Sequence, residues 1–290
     1  MADSYGECPG IRRRCTALVS PSVDALRQID AWPAARATAG VVRTDGVVGV
    51  RGPHEEALPW ASVTKVATAL ATLVAAEEGV VELDEPAGPE GATVRHLLAH
   101  ASGLPLHAGP PIAQPGQRRI YSNHGFEVLA EHLEAAAEMA FPEYLREAVL
   151  APLGLRAELR GDAGSGLVGP LDDLLALGRE LLAPTLVAPE TLAEATAVAF
   201  SGLTGVLPGF GRMESNDWGL GFELRDAKQP HWTGARNSPG TFGHFGRAGT
   251  FLWVDPDAKL ALGVLTDRPF GDWAKEAWPA LSDAVLASVA

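Results

Sequence analysis

Strand-forming runs near both ends of the chain and helix-forming runs between them predict an α/β fold of the α+β kind. The expected architecture is an antiparallel sheet flanked by N- and C-terminal helices, with a helical lobe inserted. Three observations carry this. Val-rich runs flank Asp45-Gly46 near the start. Apolar runs flank Asp255-Pro256-Asp257 near the end. The middle, about residues 85–200, follows a helical period cut by Pro and Gly.

Taken in order, residues 1–20 read as a loose polar tail. Val23, Leu26, Ile29 and Trp32 recur at helical spacing, so a helix is expected from Pro21 to about Trp32, ended by Pro33. Gly40–Val50 reads as a hairpin, because Asp-Gly between Val-rich runs suits a tight turn. Ser62 to about Glu78 is apolar on nearly every face, which predicts a buried helix. Further helices are expected at His124–Met139 and at Glu143–Leu150, where Pro142 suits the first turn. Strands are expected at Leu220–Leu224, Gly249–Val254 and Lys259–Thr266. Asp272 opens a final helix that Pro279 should kink or interrupt. The organisation expected is a tail over 1–20 and a single domain over 21–290. In that domain a sheet lobe spans about 21–61 and 217–290, and a helical lobe about 62–216.

The 23 Lys and Arg against 36 Asp and Glu leave a net charge of −13, which repels phosphate backbones and anionic membrane surfaces. Neither a nucleic acid nor a membrane is therefore an expected partner. With 47% hydrophobic and 20% charged residues, a sizeable core can form. Cys8 and Cys15 read as free thiols of a reducing compartment. No apolar region follows Arg12-Arg13-Arg14, and no run reaches the roughly 18 apolar residues of a membrane span, so a cytoplasmic location is expected.

Ser62-Val63-Thr64-Lys65 opens the buried helix and is the sharpest local feature. Residues three apart share a helix face, and a lysine in an apolar site gives up its charge readily enough to take a proton from a serine. A helix N-terminus favours the negative charge that develops in such chemistry. The same pair also fits a serine helix cap beside a lysine. Tyr121-Ser122-Asn123 follows a Pro/Gly-rich loop at the mouth of another helix; it offers a phenol and an amide to a substrate, or equally a cap with a core tyrosine. Gly243-His244-Phe245-Gly246-Arg247 leads toward a strand, and its glycines allow close approach of a ligand, or form a turn with an incidental histidine.

Ser-x-x-Lys, Tyr-x-Asn and His-x-Gly in this order resemble the serine β-lactamase and penicillin-binding protein superfamily. The Tyr-x-Asn form is similar to its class C branch and to the related family VIII carboxylesterases. Thr93–Pro105, Pro152–Leu155, Gly166–Val168 with Asp172–Leu174, and Leu265–Arg268 resemble further family segments, so the likeness runs from about residue 38 to 290. The resemblance implies a β-lactamase/transpeptidase-like fold and a serine hydrolase working through an acyl-enzyme. It makes Ser62 the nucleophile, Lys65 its activator and Tyr121 a partner in proton transfer. Asn123 would bind the acyl-side carbonyl, with His244, Phe245 and Gly246 lining the substrate site. The backbone N–H groups of Ser62 and Arg247 would form the oxyanion hole, where each donor is worth about 3–4 kcal/mol. Neither a metal nor a cofactor is expected, because no metal-site spacing, phosphate-cradling motif or dinucleotide fingerprint occurs.

Departures from the family pattern shape the expected substrate. His244 stands where many relatives carry Lys, so a permanent cation for a substrate carboxylate is missing, and Phe245 replaces a small hydroxyl residue. These changes favour a small ester or amide over a lactam. The alternatives are a β-lactamase or D,D-peptidase, and a catalytically silent ligand-binding member of the fold. Trp232-Thr233-Gly234 imitates the Lys-Thr-Gly motif but is set aside, because no strand pattern follows it directly. His96 and His100 are expected to be structural, and His124 to border the site or start a surface helix. Asp172-Asp173 is expected to open a helix. Trp218, Trp232 and Trp253 are expected in the core, with an acyl-pocket wall as the other reading.

Overall fold

Pro21 stands at the head of α1 (Pro21–Leu26) in the computed structural model, which describes residues 21–289. The expected tail, with Cys8 and Cys15, lies outside the described residues. The expected helix to Trp32 tightens into a 3-10 turn at Arg27–Ala31, and Trp32 is extended, as a residue before proline prefers. β1 (Ala37–Arg43) and β2 (Gly46–Arg51) form the expected hairpin around Thr44-Asp45, with a bulge between Val41 and Val42.

After β3 (Leu58–Pro59), a 3-10 turn at Ala61–Val63 runs into α2 (Thr64–Glu77), whose residues from Thr64 to Ala75 are all buried. Then come α3 (Val94–Leu98), α4 (Asn123–Ala137) and α5 (Phe141–Leu145). A wider π-type turn at Arg146–Leu150 completes the helical stretch expected at Glu143–Leu150. β4 (Glu158–Leu159) and β5 (Leu167–Gly169) join β3 in a small antiparallel sheet with β5 in the middle. α6 (Leu171–Leu182), α7 (Pro189–Ala195) and a hairpin of β6 (Gly205–Leu207) and β7 (Gly211–Met213) complete this part. None of these five short strands carried a readable sequence period.

β8 (Glu223–Leu224) is shorter than the strand expected at Leu220–Leu224. Gly221 bends the chain at φ 87°, and a Cβ there would come within 2.2 Å of Ala69 Cβ on α2. β9 (Phe242–Gly246) corrects a second expectation, because this segment is itself a strand and not a glycine-rich approach to one. β10 (Thr250–Asp255) and β11 (Leu260–Thr266) flank the expected Asp-Pro-Asp turn. α8 (Asp272–Val289) runs through Pro279 without interruption.

The main sheet has six strands in the order β2-β1-β11-β10-β9-β8, all antiparallel, with Ala37 opposite Thr266 and Val42 opposite Ala261. Alternate residues serve two cores. Ala39, Val41, Phe251, Trp253, Leu262 and Val264 pack on one side with Leu26, Trp278, Leu281 and Val285 of α1 and α8. Val42, Leu252, Val254, Ala261 and Leu265 pack on the other with α2 and α6. With both faces covered, β10 and β11 are buried along their whole length, which is why they read as unbroken apolar runs. Each large apolar side chain fully buried here stabilises the fold by about 1.5–3 kcal/mol. Among the described residues, no helix is long and apolar enough to cross a membrane.

Candidate active site

Ser62 sits in the 3-10 turn that feeds the buried helix α2, at the junction of sheet and helices. Trp60 anchors this turn. Its backbone N–H donates to Leu167 O (2.9 Å), its indole N–H to Gly169 O (3.1 Å), and its carbonyl accepts from Thr250 Oγ1 (2.9 Å). The anchoring holds Ala61 in the left-handed region at φ 47°, a conformation that costs a residue bearing a Cβ about 1 kcal/mol or more. Ser62 is thereby half-buried at a mouth, while Lys65, one turn along, is completely enclosed.

The Lys65 ammonium donates to Asn123 Oδ1 (2.7 Å) and to Gly164 O (2.8 Å), and lies 4.9 Å from the centre of the Tyr121 ring. Burial dominates its titration and pulls its pKa from 10.5 down to about 7, against a smaller opposite pull from the charges of Glu127 and Asp162. Near neutral pH a large share of Lys65 is therefore an uncharged amine with a free lone pair.

Tyr121 and Asn123 are positioned by the start of α4. Ser122 caps that helix: its hydroxyl accepts from Gly125 N–H (2.8 Å) and donates to Pro105 O (2.5 Å). The backbone N–H of Asn123 donates to Leu106 O (3.1 Å). Burial lifts the Tyr121 phenol well above the ordinary tyrosine range; its hydrogen bond with Ser62 pulls the other way but does not cancel the shift. The phenol is thus a proton donor at neutral pH.

β9 supplies the opposite wall. Strand alternation turns His244 toward Tyr121 and Trp218, at ring distances of 5.8 and 5.4 Å. The same alternation corrects the expectation for Phe245. Its side chain packs on the other face with Trp232, Phe270 and Trp278, away from Tyr121. His244 Nδ1 lies 2.7 Å from the carbonyl of Phe245, which can only accept, so Nδ1 carries the proton and Nε2 is a bare acceptor. Burial, helped by the Lys65 charge, lowers its pKa to about 3, so the ring is neutral. At Gly246 a Cβ would fall 2.6 Å from Trp60 O and 2.9 Å from Ala61 Cβ. The end of β9 is pressed against the Ser62 turn, and Arg247 follows directly.

The structure gathers Ser62, Lys65, Tyr121, Asn123 and His244, with Gly246 and Arg247 beside the Ser62 turn. Of the three tryptophans, Trp218 joins this group, whereas Trp232 and Trp253 belong to the core under α8. His100, expected to be structural, packs against Tyr121 with ring centres 4.7 Å apart and accepts from Ser122 N–H through Nδ1 (3.2 Å). The ring is buried and neutral, so its proton sits on Nε2, which like Trp218 Nε1 and His244 Nε2 has no partner in the protein. His96 stacks on Phe200, and His124 lies 3.4 Å from Glu127 at the helix start. Asp173 accepts from Arg156 and Ala157 N–H, and Asp172 pairs with His54. Among the described residues, no cluster of His, Cys, Asp or Glu is placed to hold a metal ion. Trp232-Thr233-Gly234 lies outside the strands, its His231 and Trp232 bonded to Glu223. Sequence reasoning missed the Gly164 carbonyl, because a backbone acceptor leaves no residue-type signal.

Such a site can activate a hydroxyl through an uncharged amine, and it can protonate a leaving group through a phenol. A family model described as Beta-lactamase matches residues 32–286. The solved structure of a beta-lactamase from Mycobacterium bovis is 52% identical, with a TM-score of 0.90 over 91% of this chain and 99% of that one. EstCE1, described as a hydrolase with promiscuous acyltransferase activity, is 20% identical with a TM-score of 0.74, over 92% of this chain and 97% of its own. At that identity the likeness is one of fold. Penicillin-binding protein 4* of Bacillus subtilis is 27% identical over 128 residues. That match spans 33% of this chain and 28% of the relative's length.

Proposed function

The chain belongs to the beta-lactamase family of serine hydrolases, and from that premise we propose that it hydrolyses a small ester or amide through an acyl-enzyme on Ser62. The observation that carries this reading is the buried amine of Lys65, bonded to Asn123 and Gly164 and held near neutrality one turn from Ser62, with the Tyr121 ring 4.9 Å away. Ser62 Oγ attacks the scissile carbonyl and its proton passes to Lys65 Nζ. The bond to the leaving group breaks as that proton is relayed through the Tyr121 phenol to the departing oxygen or nitrogen. Water then attacks the acyl carbon and loses its proton along the same route, and Ser62 Oγ leaves with its hydrogen restored. Lys65 is the base in this scheme, because the raised phenol pKa keeps Tyr121 protonated. Asn123 has its carbonyl oxygen engaged by Lys65, which leaves its NH₂ to meet the acyl-side carbonyl. The N–H groups of Ser62 and Arg247 receive the oxyanion.

His244 supports an ester over a lactam. Penicillins and peptidoglycan stems carry a carboxylate, and a neutral ring with a bare acceptor repels it where a lysine would attract it. Lactam hydrolysis is the second reading, favoured by the beta-lactamase description of the relative at 52% identity. The deciding experiment combines fluorophosphonate labelling with turnover of p-nitrophenyl acetate and nitrocefin, each compared with Ser62→Ala. Stoichiometric labelling and ester turnover that both vanish in the variant are expected. Nitrocefin turnover far exceeding ester turnover would select the second reading. Absence of any adduct would leave a ligand-binding member of the fold.

A further inference from the structure

Next to Tyr121 a cavity of about 490 Å³ opens to the surface, within the size range of small-molecule sites. Leu106, Ile112, Ile120, Val206 and Pro208 line it. Large apolar side chains are exposed at only five described positions, and three of them, Leu106, Ile112 and Val206, stand on this one cavity. Such clustering marks a binding surface. The walls are pinned to the site. Leu106 O holds the N–H of Asn123, and Thr204 O accepts from Arg119 N–H (2.9 Å), two residues before Tyr121.

Every charged residue lining the cavity is an arginine, in a chain whose net charge is −13. Arg119 is consumed by the fold, donating to the carbonyls of Ala99, Ala199, Phe200 and Asn216. Arg212 is held by Glu214 (3.1 Å). Arg118 is exposed and donates to Ile112 O (3.0 Å), with no carboxylate within ion-pair distance among the described residues. An exposed guanidinium on the wall of an apolar cavity that Tyr121 also lines suits a ligand that is apolar along its length and carries a negative charge at the end away from the scissile bond.

We propose that the substrate carries an apolar chain that lies in this cavity and ends in a carboxylate or similar anion received by Arg118. This rests on the hydrolase reading and deepens it. The anion belongs at the distal end of the chain and not beside the scissile bond, where His244 offers it no charge.

The test measures kcat/KM for two matched series. On the acyl side these are p-nitrophenyl acetate, p-nitrophenyl hexanoate and the mono-p-nitrophenyl ester of adipic acid. On the alcohol side they are ethyl acetate, hexyl acetate and the acetate ester of ω-hydroxyhexanoic acid, followed by pH-stat. In at least one series the six-carbon neutral ester is expected to exceed the short one by about tenfold or more, since burying two of its four extra methylenes at roughly fourfold each already supplies that. Its anionic counterpart is expected to exceed it a further fivefold or more at low salt, with the advantage shrinking as ionic strength rises. Arg118→Gln should bring the anionic-to-neutral ratio to about one, and Val206→Asp should lower the long-to-short ratio. Ser62-dependent acetate turnover with flat ratios in both series overturns this proposal alone. Ratios that Arg118→Gln leaves standing overturn it as well. Absence of Ser62-dependent turnover for every ester overturns the hydrolase reading and this proposal together.

Discussion

Replacing Lys65 by Met removes an ionisable group whose folded and unfolded states bind protons differently, and the stability change is calculable. The folded chain releases the Lys65 proton at about 7, whereas the free side chain holds it to 10.5. At about 1.4 kcal/mol per unit, enclosing the ammonium costs roughly 5 kcal/mol. Below pH 7 both states carry the charge and the full cost is present. Between pH 7 and 10.5 the unfolded state binds the extra proton, so wild-type stability climbs with pH by about 1.4 kcal/mol per unit relative to Lys65→Met. From pH 7 to 9 the gap between the two proteins should therefore move by about 2.3 kcal/mol, or about 4 °C in Tm for a chain of this size. The hydrogen bonds to Asn123 and Gly164 that the variant lacks shift its curve by a pH-independent offset, so the slope is the informative quantity. Guanidinium unfolding followed by the fluorescence of the seven tryptophans, at half-unit steps, measures it. Parallel curves for the two proteins between pH 7 and 9 would refute a near-neutral buried amine.

The same amine should impose an acid limb on kcat/KM for ester hydrolysis, falling about tenfold per unit below pH 7; a flat profile from pH 5.5 to 7.5 would remove Lys65 from the role of base. Tyr121→Phe should lower kcat/KM by about a hundredfold or more while leaving Tm nearly unchanged, because the phenol bonds to a half-exposed hydroxyl. Gly246→Ala should keep the fold by circular dichroism yet cost about ten- to a hundredfold in turnover, since its Cβ would push β9 away from Trp60 and the Ser62 turn. Arg119→Met should destabilise the protein by about 3 kcal/mol or more in denaturant melts, because several carbonyl groups lose their donor; a smaller loss would mean that water replaces the guanidinium there.

Much of the sheet was legible because strands buried on both faces read as long apolar runs. β10 and β11 announce themselves in this way, and the Asp-Pro-Asp turn joins them. β9 was not legible. Phe-Gly-His-Phe-Gly looks like a loop, yet its glycines serve close approach within a strand. The family resemblance put Phe245 in the substrate site, and alternation turns its side chain to the other face once the strand is known. Ser62, Lys65, Tyr121 and Asn123 were legible as residue types at fixed spacing. His100 was visible only as a histidine; its contact with Tyr121 depends on a chain reversal at φ 54° that no local pattern encodes. The enclosure that lowers the Lys65 pKa comes from Phe126, Gly164 and the α2 environment, assembled from distant parts of the chain.

Pairing Ala37 with Thr266 and Val42 with Ala261 has a consequence for biosynthesis. During translation the opening hairpin leaves the ribosome with its inner edge unmatched, and the partner it needs emerges more than two hundred residues later. Closing so long a loop is entropically costly and slow. The nascent chain must therefore carry a bare strand edge for most of its synthesis, a period in which holdase chaperones would have something to grip. Because β9 is tied to that edge through β10 and β11 and its end packs on the Ser62 turn, the protein should stay inert toward acylating reagents until its last strand is released.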